Sequence, residues 1–209
     1  MNQNAQDNAA ALRARLKQRR REMPPRDRDR GALLIRGRLY TWLATNRTRL
    51  RESGRPDIRH IAAFWSMADE PALQALLGQW AEDETLQVSL PVVTAPGQPL
   101  QFRAWTPDTP MAPGAYGIQE PAGPPAPAPD VILVPTLGYT RQGDRLGYGG
   151  GYYDRTLAAL KTSGHAFTTV GIAWACGDLS GETYTPAAHD VRLDTILTDK
   201  GWAVPAPEL

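Results

Sequence analysis

Four glycines fall within five positions, Gly147, Gly149, Gly150 and Gly151, in the stretch RLGYGGGYYDR at 145–155. Glycine gives up side-chain packing and carries the largest backbone entropy cost on folding, so this density implies that something approaches the backbone closely. A helix starting near Gly151 would complete an anion site, because free backbone N–H groups and the positive end of the helix dipole converge there. Arg145, expected at the mouth of the loop, carries a planar guanidinium suited to phosphate oxygens. The stretch lacks the G-x-x-x-x-G-K-[ST] of a P-loop and the final small residue of G-x-G-x-x-G. Glycine-rich turns are commonly structural. The adjoining Arg145, Tyr152, Tyr153 and Asp154 point to a functional loop here.

Such a loop needs a sheet and helices to hold it. VILVP at 131–135 is a continuous apolar run, as expected of a buried central strand. YYDRTLAALKTS after the glycines has helical spacing through Leu157 and Leu160. Upstream, the spacing predicts helices over 9–23, ended by Pro24-Pro25, and over about 27–44, which sends Leu33, Leu34, Leu39, Trp42 and Leu43 toward a core. Strands are expected over 58–65, 86–93, 100–105, 168–174 and 194–199, with a further helix over 72–81. The stretch 120–130, with five prolines, reads as an extended surface connector. Strands alternating with helices imply an α/β fold. The expectation is a single-domain three-layer sandwich over 1–209, its central sheet largely parallel and its basic helices (1–45) packed on it.

The 209 residues, 42% hydrophobic and 22% charged, suffice for one full core. No apolar run approaches a membrane span, and the first residues contain no apolar segment of a secretory signal. The lone Cys176 suits a reducing compartment and reads as a small buried hydrophobe. Net charge is +1, yet residues 1–60 hold 16 of the 23 Lys and Arg and only 6 of the 22 Asp and Glu. That basic third suggests an anionic partner; the alternative is a solvated face neutralised by the acidic remainder. A nucleic-acid module would also need interleaved aromatics or a recognition motif, and none is readable.

The stretch VILVPTLGYTRQGDRLGYGGGYYDR (131–155) resembles the signature of the 5-formyltetrahydrofolate cyclo-ligase family. LRARLKQRR (12–20), FWSMADE (64–70), LPVV (90–93), GAYGIQEP (114–121) and PAAHDVRLDTILT (186–198) match further family segments in order. The resemblance implies a cytoplasmic ATP- and Mg²⁺-dependent ligase that closes 5-formyltetrahydrofolate to 5,10-methenyltetrahydrofolate. It implies a monomer acting on small molecules, without nucleic-acid or membrane partners. A paralogue acting on another amide or heterocycle, or a silent folate-binding protein, would keep the same loop.

Position by position, the resemblance assigns ATP to Arg13, Arg145, Leu146, Gly147, Tyr148, Gly149, Gly150, Gly151, Tyr152 and Tyr153. It assigns the folate to Trp65, Glu70, Tyr116 and Tyr152, magnesium to Asp154 and Asp190, and catalysis to Arg145 and Tyr152. Family members often carry a lysine shortly before the residue matched by Arg13; Ala9 and Ala10 stand there, leaving Lys17 or a nearby arginine as substitute. The residues alone leave other readings open. Trp65 could be core, Glu70 a helix-start carboxylate, and Asp154 a cap. His189 and Asp190 invite a dyad, but no nucleophile accompanies them.

Overall fold

The computed structural model describes the backbone of residues 3–209 and the side chains from Asp7 onward. Helix α1 (Gln3–Glu22) gives way at Pro24 to α2 (Pro25–Glu52), with Pro25 in the first turn, where its fixed φ favours the helix start. Helix α2 runs eight residues past the expected end. Its last turns bury Arg47, which reaches Asp57, Asp83 and Thr85, so an ion-pair network continues the packing where the apolar pattern stops.

A seven-stranded sheet lies at the centre. Its strands are β1 (His60–Ala62), β2 (Gln87–Val92), β3 (Gln101–Trp105), β6 (Val131–Pro135), β9 (Thr168–Ile172), β10 (Thr195–Thr198) and β11 (Gly201–Val204). They lie in the order β11-β10-β9-β6-β1-β2-β3. All pairings are parallel except those of the two edge strands, β3 and β11. Along β6 the side chains alternate between two layers. Leu133 packs with α2 and α3 (Gln74–Ala81) on one face, and Ile132 and Val134 pack with Leu157 of α4 (Tyr152–Thr162) on the other. This is the expected α/β sandwich with a mixed, mostly parallel sheet.

Topology dictates where a ligand can go. From β1 the chain crosses through α3 to β2 on one side, and from β6 it crosses through α4 to β9 on the other. The order therefore reverses between β1 and β6. Beyond the C-terminal ends of strands at such a switch point, diverging loops leave a crevice. The expected strand over 58–65 pairs only at His60–Ala62. Phe64 and Trp65 have left the sheet by then and line that crevice.

Two short hairpins escaped the sequence reading. Strands β4 (Met111–Pro113) and β5 (Gln119–Pro121) pair antiparallel around a tip carrying Tyr116, and β7 (Gly138–Tyr139) pairs with β8 (Arg145–Leu146) just before the glycines. The proline-rich stretch is also more ordered than a surface connector. Ala126 donates to Phe102 O, and Ala104 donates to Pro124 O, so it lies along the outer edge of β3. Prolines cannot donate to a ladder, which suits them to such an edge.

Helix α1 packs Leu12 and Leu16 against Leu137, Leu146 and Leu179 around the β7–β8 hairpin. Arg20 continues that stripe and is buried, although the sequence sets it among the polar positions of α1 with Arg13 and Lys17. Elsewhere part of the basic third is paired within the chain: Arg15 and Arg19 reach Glu182, and Arg49 reaches Glu208. Cys176 is half-buried against Met23, and burial pushes its thiol pKa up, in keeping with an apolar role.

Candidate active site

A cleft of about 450 Å³ opens at the switch point. Its walls come from the turns after β1, β2 and β6, the β4–β5 tip, the start of α4 and one face of α1. All fifteen residues singled out from the sequence line it: Arg13, Trp65, Glu70, Tyr116, the run from Arg145 to Asp154, and Asp190.

The glycine loop forms one side. Gly149 has φ +101, a backbone conformation that L side chains rarely adopt. Gly151 is the N-cap of α4 and supplies no side-chain cap, so the first-turn N–H groups of α4 lack a side-chain acceptor at the loop. Arg13 Nε donates to Gly147 O at 2.9 Å, and Arg155 Nη2 donates to Gly150 O at 2.8 Å. The two arginines thus hold the loop from α1 and from α4. Arg155 carried no signal in the sequence beyond its place after Asp154.

Arg145 is not at the mouth. It lies beneath the loop, 7% exposed, with Nη2 2.8 Å from Asp154 Oδ2 and Nη1 donating to Pro135 O at 3.3 Å. A Cβ at Gly147 would fall 2.4 Å from that Nη1, so any larger residue there would have to push the guanidinium out of its place beneath the loop. A strand-borne arginine with a carboxylate partner in α4 is drawn into the interior, where paired charge is tolerated. Its positive charge reaches the loop from below.

Asp154 stands in the first turn of α4 but does not cap it. Its Oδ1 accepts from Val191 N at 3.2 Å and its Oδ2 serves Arg145, which ties the 187–191 turn to the helix start. Asp190 Oδ2 accepts from Ala187 N at 2.7 Å, and Oδ1 lies 3.8 Å from His189 Nε2. Among the described residues no three His, Cys, Asp or Glu side chains cluster as a cation cage. A magnesium ion usually takes only one or two protein carboxylates and fills its shell with water and phosphate oxygens. Asp154 and Asp190, both lining the cleft beside the loop, fit that donor set.

The opposite side is aromatic and apolar. Trp65 is half-buried and packs edge-on against Trp105, with ring centroids 6.0 Å apart; it belongs to both core and cleft. Tyr116 is 76% exposed at the β4–β5 tip and adopts φ 61, ψ 17, a conformation costly for a non-glycine residue. Its hydroxyl meets Tyr152 Oη at 3.1 Å. That bond holds the Tyr152 phenol above its usual pKa. Phe64, Pro91, Val93 and Ile118 complete the wall.

At the inner end lies Glu70, 7% exposed. It does not start a helix: α3 begins at Gln74, and Glu70 Oε2 accepts from Met67 N at 2.9 Å. Its Oε1 accepts from Tyr148 Oη at 2.5 Å. Burial pushes its carboxyl pKa up, and the bond from Tyr148, the Met67 N–H and the Arg20 charge oppose the shift. Tyr153 and Arg145 add unmet capacity, since Tyr153 Oη and Arg145 Nε are buried and find no partner among the described residues. Lys17, which the sequence offered only as a substitute, also lines the cleft.

One cleft therefore combines a cationic loop with open N–H donors, a flat aromatic slot and a buried carboxylate acceptor. Such a site can take a polyphosphate beside a flat, donor-rich heterocycle. The family model of the 5-formyltetrahydrofolate cyclo-ligases matches residues 5–199. A protein from Mycolicibacterium smegmatis named 5-formyltetrahydrofolate cyclo-ligase is 36% identical over 199 residues, which cover 90% of this chain and 92% of the relative. A protein of the same name from Haemophilus influenzae is 33% identical over 66% of this chain and 75% of its own length. The NMR structure of Aquifex aeolicus 5,10-methenyltetrahydrofolate synthetase superposes with a TM-score of 0.75 over 96% of this chain and 95% of that one. At 23% identity it speaks for the fold alone. The chain belongs to the 5-formyltetrahydrofolate cyclo-ligase family, a family of ligase enzymes.

Proposed function

We propose that the cleft converts 5-formyltetrahydrofolate and ATP to 5,10-methenyltetrahydrofolate, ADP and phosphate in a magnesium-dependent reaction. The observation that carries this reading is the contact between its two halves: the glycine loop's own Tyr148 is hydrogen-bonded to the buried Glu70 beside the aromatic slot.

An amide oxygen is a weak nucleophile and oxide a poor leaving group, so ring closure needs activation. Electron density from N5 makes the formyl oxygen attack the γ-phosphorus of ATP; the bond to the β-phosphate bridging oxygen breaks and ADP departs. N10 then attacks the activated carbon and gives up its proton. The former formyl C–O bond breaks, and phosphate leaves with that oxygen. The loop N–H groups, Arg13, Lys17 and the buried Arg145 counter the charge on the transferring phosphoryl group. Asp154 and Asp190 would hold magnesium, which supplies further neutralisation of phosphate charge. Glu70 accepts from the amino and N–H edge of the pterin, Trp65 and Tyr116 flank the ring, and Tyr152 reaches substrate beside the loop. Confinement in one cleft keeps N10 near the formyl carbon.

We read residues 1–209 as one domain and the protein as a cytoplasmic monomer acting on small molecules, without nucleic-acid or membrane partners. Support comes from the arginines of α1 and α2, several of which are spent on internal carboxylates. No described helix is long and apolar enough to cross a membrane. The pure protein given 5-formyltetrahydrofolate should form the methenyl chromophore only when Mg-ATP is present. Formation without ATP, or none with it, would contradict the reading.

A further inference from the structure

Tyr148 belongs to the glycine loop by sequence, yet its hydroxyl is taken up by two side chains from outside the loop. It donates to Glu70 Oε1 at 2.5 Å and accepts from Arg20 Nη1 at 2.5 Å. The direction of this chain is fixed by chemistry. A guanidinium can only donate, so the single phenolic proton goes to the carboxylate. Arg20 is 1% exposed on α1, and its Nη2 donates to Thr136 O at 2.6 Å, just past β6. Lys17 Nζ lies 5.6 Å from the centre of the Tyr148 ring. Helix α1, the loop and the Glu70 carboxylate therefore form one buried, hydrogen-bonded unit.

We infer that Tyr148 is a positioning residue that couples the nucleotide loop to the pterin-facing carboxylate, so that each substrate binds more tightly in the presence of the other. This rests on the proposed assignment of Glu70 to the folate. The coupling is favourable because the contacts do not compete. An ionised carboxylate offers about four lone-pair positions. Tyr148 and the Met67 N–H use two, which leaves two for the pterin edge. Nucleotide on the loop fixes the Tyr148 backbone, Tyr148 fixes the carboxylate, and the folate then meets an acceptor already ordered.

The charged and titratable groups around Glu70 are Arg20 from α1, Tyr148 from the loop, Tyr153 from α4 and the adjoining Asp69. Among them the Tyr148 bond is the largest contribution that opposes the upward shift by burial. Removing that hydroxyl raises the Glu70 pKa, so the pH below which folate affinity falls should move upward.

The test uses Tyr148→Phe, which keeps the ring and deletes the hydroxyl. Folate affinity is measured by titration calorimetry with and without magnesium and a non-hydrolysable ATP analogue, across pH. In the wild type the analogue should tighten folate binding about five- to tenfold, within the usual range of linked sites. In Tyr148→Phe the factor should fall to about one to two, with the acidic limb of folate binding at higher pH. Arg20→Lys, which keeps the charge but loses the fixed reach to Tyr148, should reduce the coupling as well and covers the case of a poorly folded Phe variant. A wild-type factor of one, or an unchanged factor and pH limb in both variants, overturns the inference. A wild type that neither binds nor turns over 5-formyltetrahydrofolate would instead overturn the functional reading beneath it.

Discussion

Gly149→Val loses turnover of 5-formyltetrahydrofolate by about a hundredfold or more while the protein still folds. The backbone there has φ +101, and the site of a Cβ has only ordinary contact with Arg13, 3.5 Å away. The cost is therefore conformational rather than steric, roughly 1–3 kcal/mol for a residue held in such a region. Valine escapes it by rotating the loop peptides, which redirects their N–H groups. Loss of one preorganised donor to a developing anion costs about 10²–10³ in rate. Steady-state kinetics with a melting curve checks this. A normal kcat in a folded variant would show that the loop geometry does not serve phosphoryl transfer.

Arg145→Ala should cost more in stability than any exposed substitution near the cleft. Arg145 and Asp154 are paired at 2.8 Å with little exposure on either side chain. Deleting one member of a buried pair leaves the other charge uncompensated, at about 3–5 kcal/mol. For a chain of this size that corresponds to a fall in Tm on the order of 10 °C. The double replacement Arg145→Met with Asp154→Leu removes both charges, so much of the stability should return. Activity should not return, because the charge beneath the loop is gone. Calorimetric melting of the wild type and the two variants, with turnover measured beside it, separates the two roles. An Arg145→Ala protein as stable and active as wild type would contradict both.

The difference between what was and was not legible in the sequence is one of range. The loop, α4 and β6 could be read because their signals are local: clustered glycines, a helical stripe through Leu157 and Leu160, an unbroken apolar run. The Arg20–Tyr148–Glu70 chain could not, since its members come from three elements and meet only when α1 docks across the β7–β8 hairpin. Arg20 looked like one more member of a basic run, although it continues the Leu12–Leu16 stripe at helical spacing. Arg145 was misplaced because its partner Asp154 was read as a metal ligand or cap, with no indication that the two would be buried together. The β4–β5 hairpin was missed for another reason. Its strands are three residues each and end in prolines, and Tyr116 takes a left-handed conformation where a glycine would be expected.

The central claim is that the formyl oxygen becomes phosphate oxygen, and isotope transfer tests it most directly. 5-Formyltetrahydrofolate labelled with ¹⁸O in its formyl group is converted with unlabelled Mg-ATP in ordinary water, and the products are analysed by mass spectrometry. The account predicts one ¹⁸O in the inorganic phosphate for each methenyl group formed and none in ADP. Label released to water, with unlabelled phosphate, would mean that ATP is hydrolysed beside the ring closure and does not activate it.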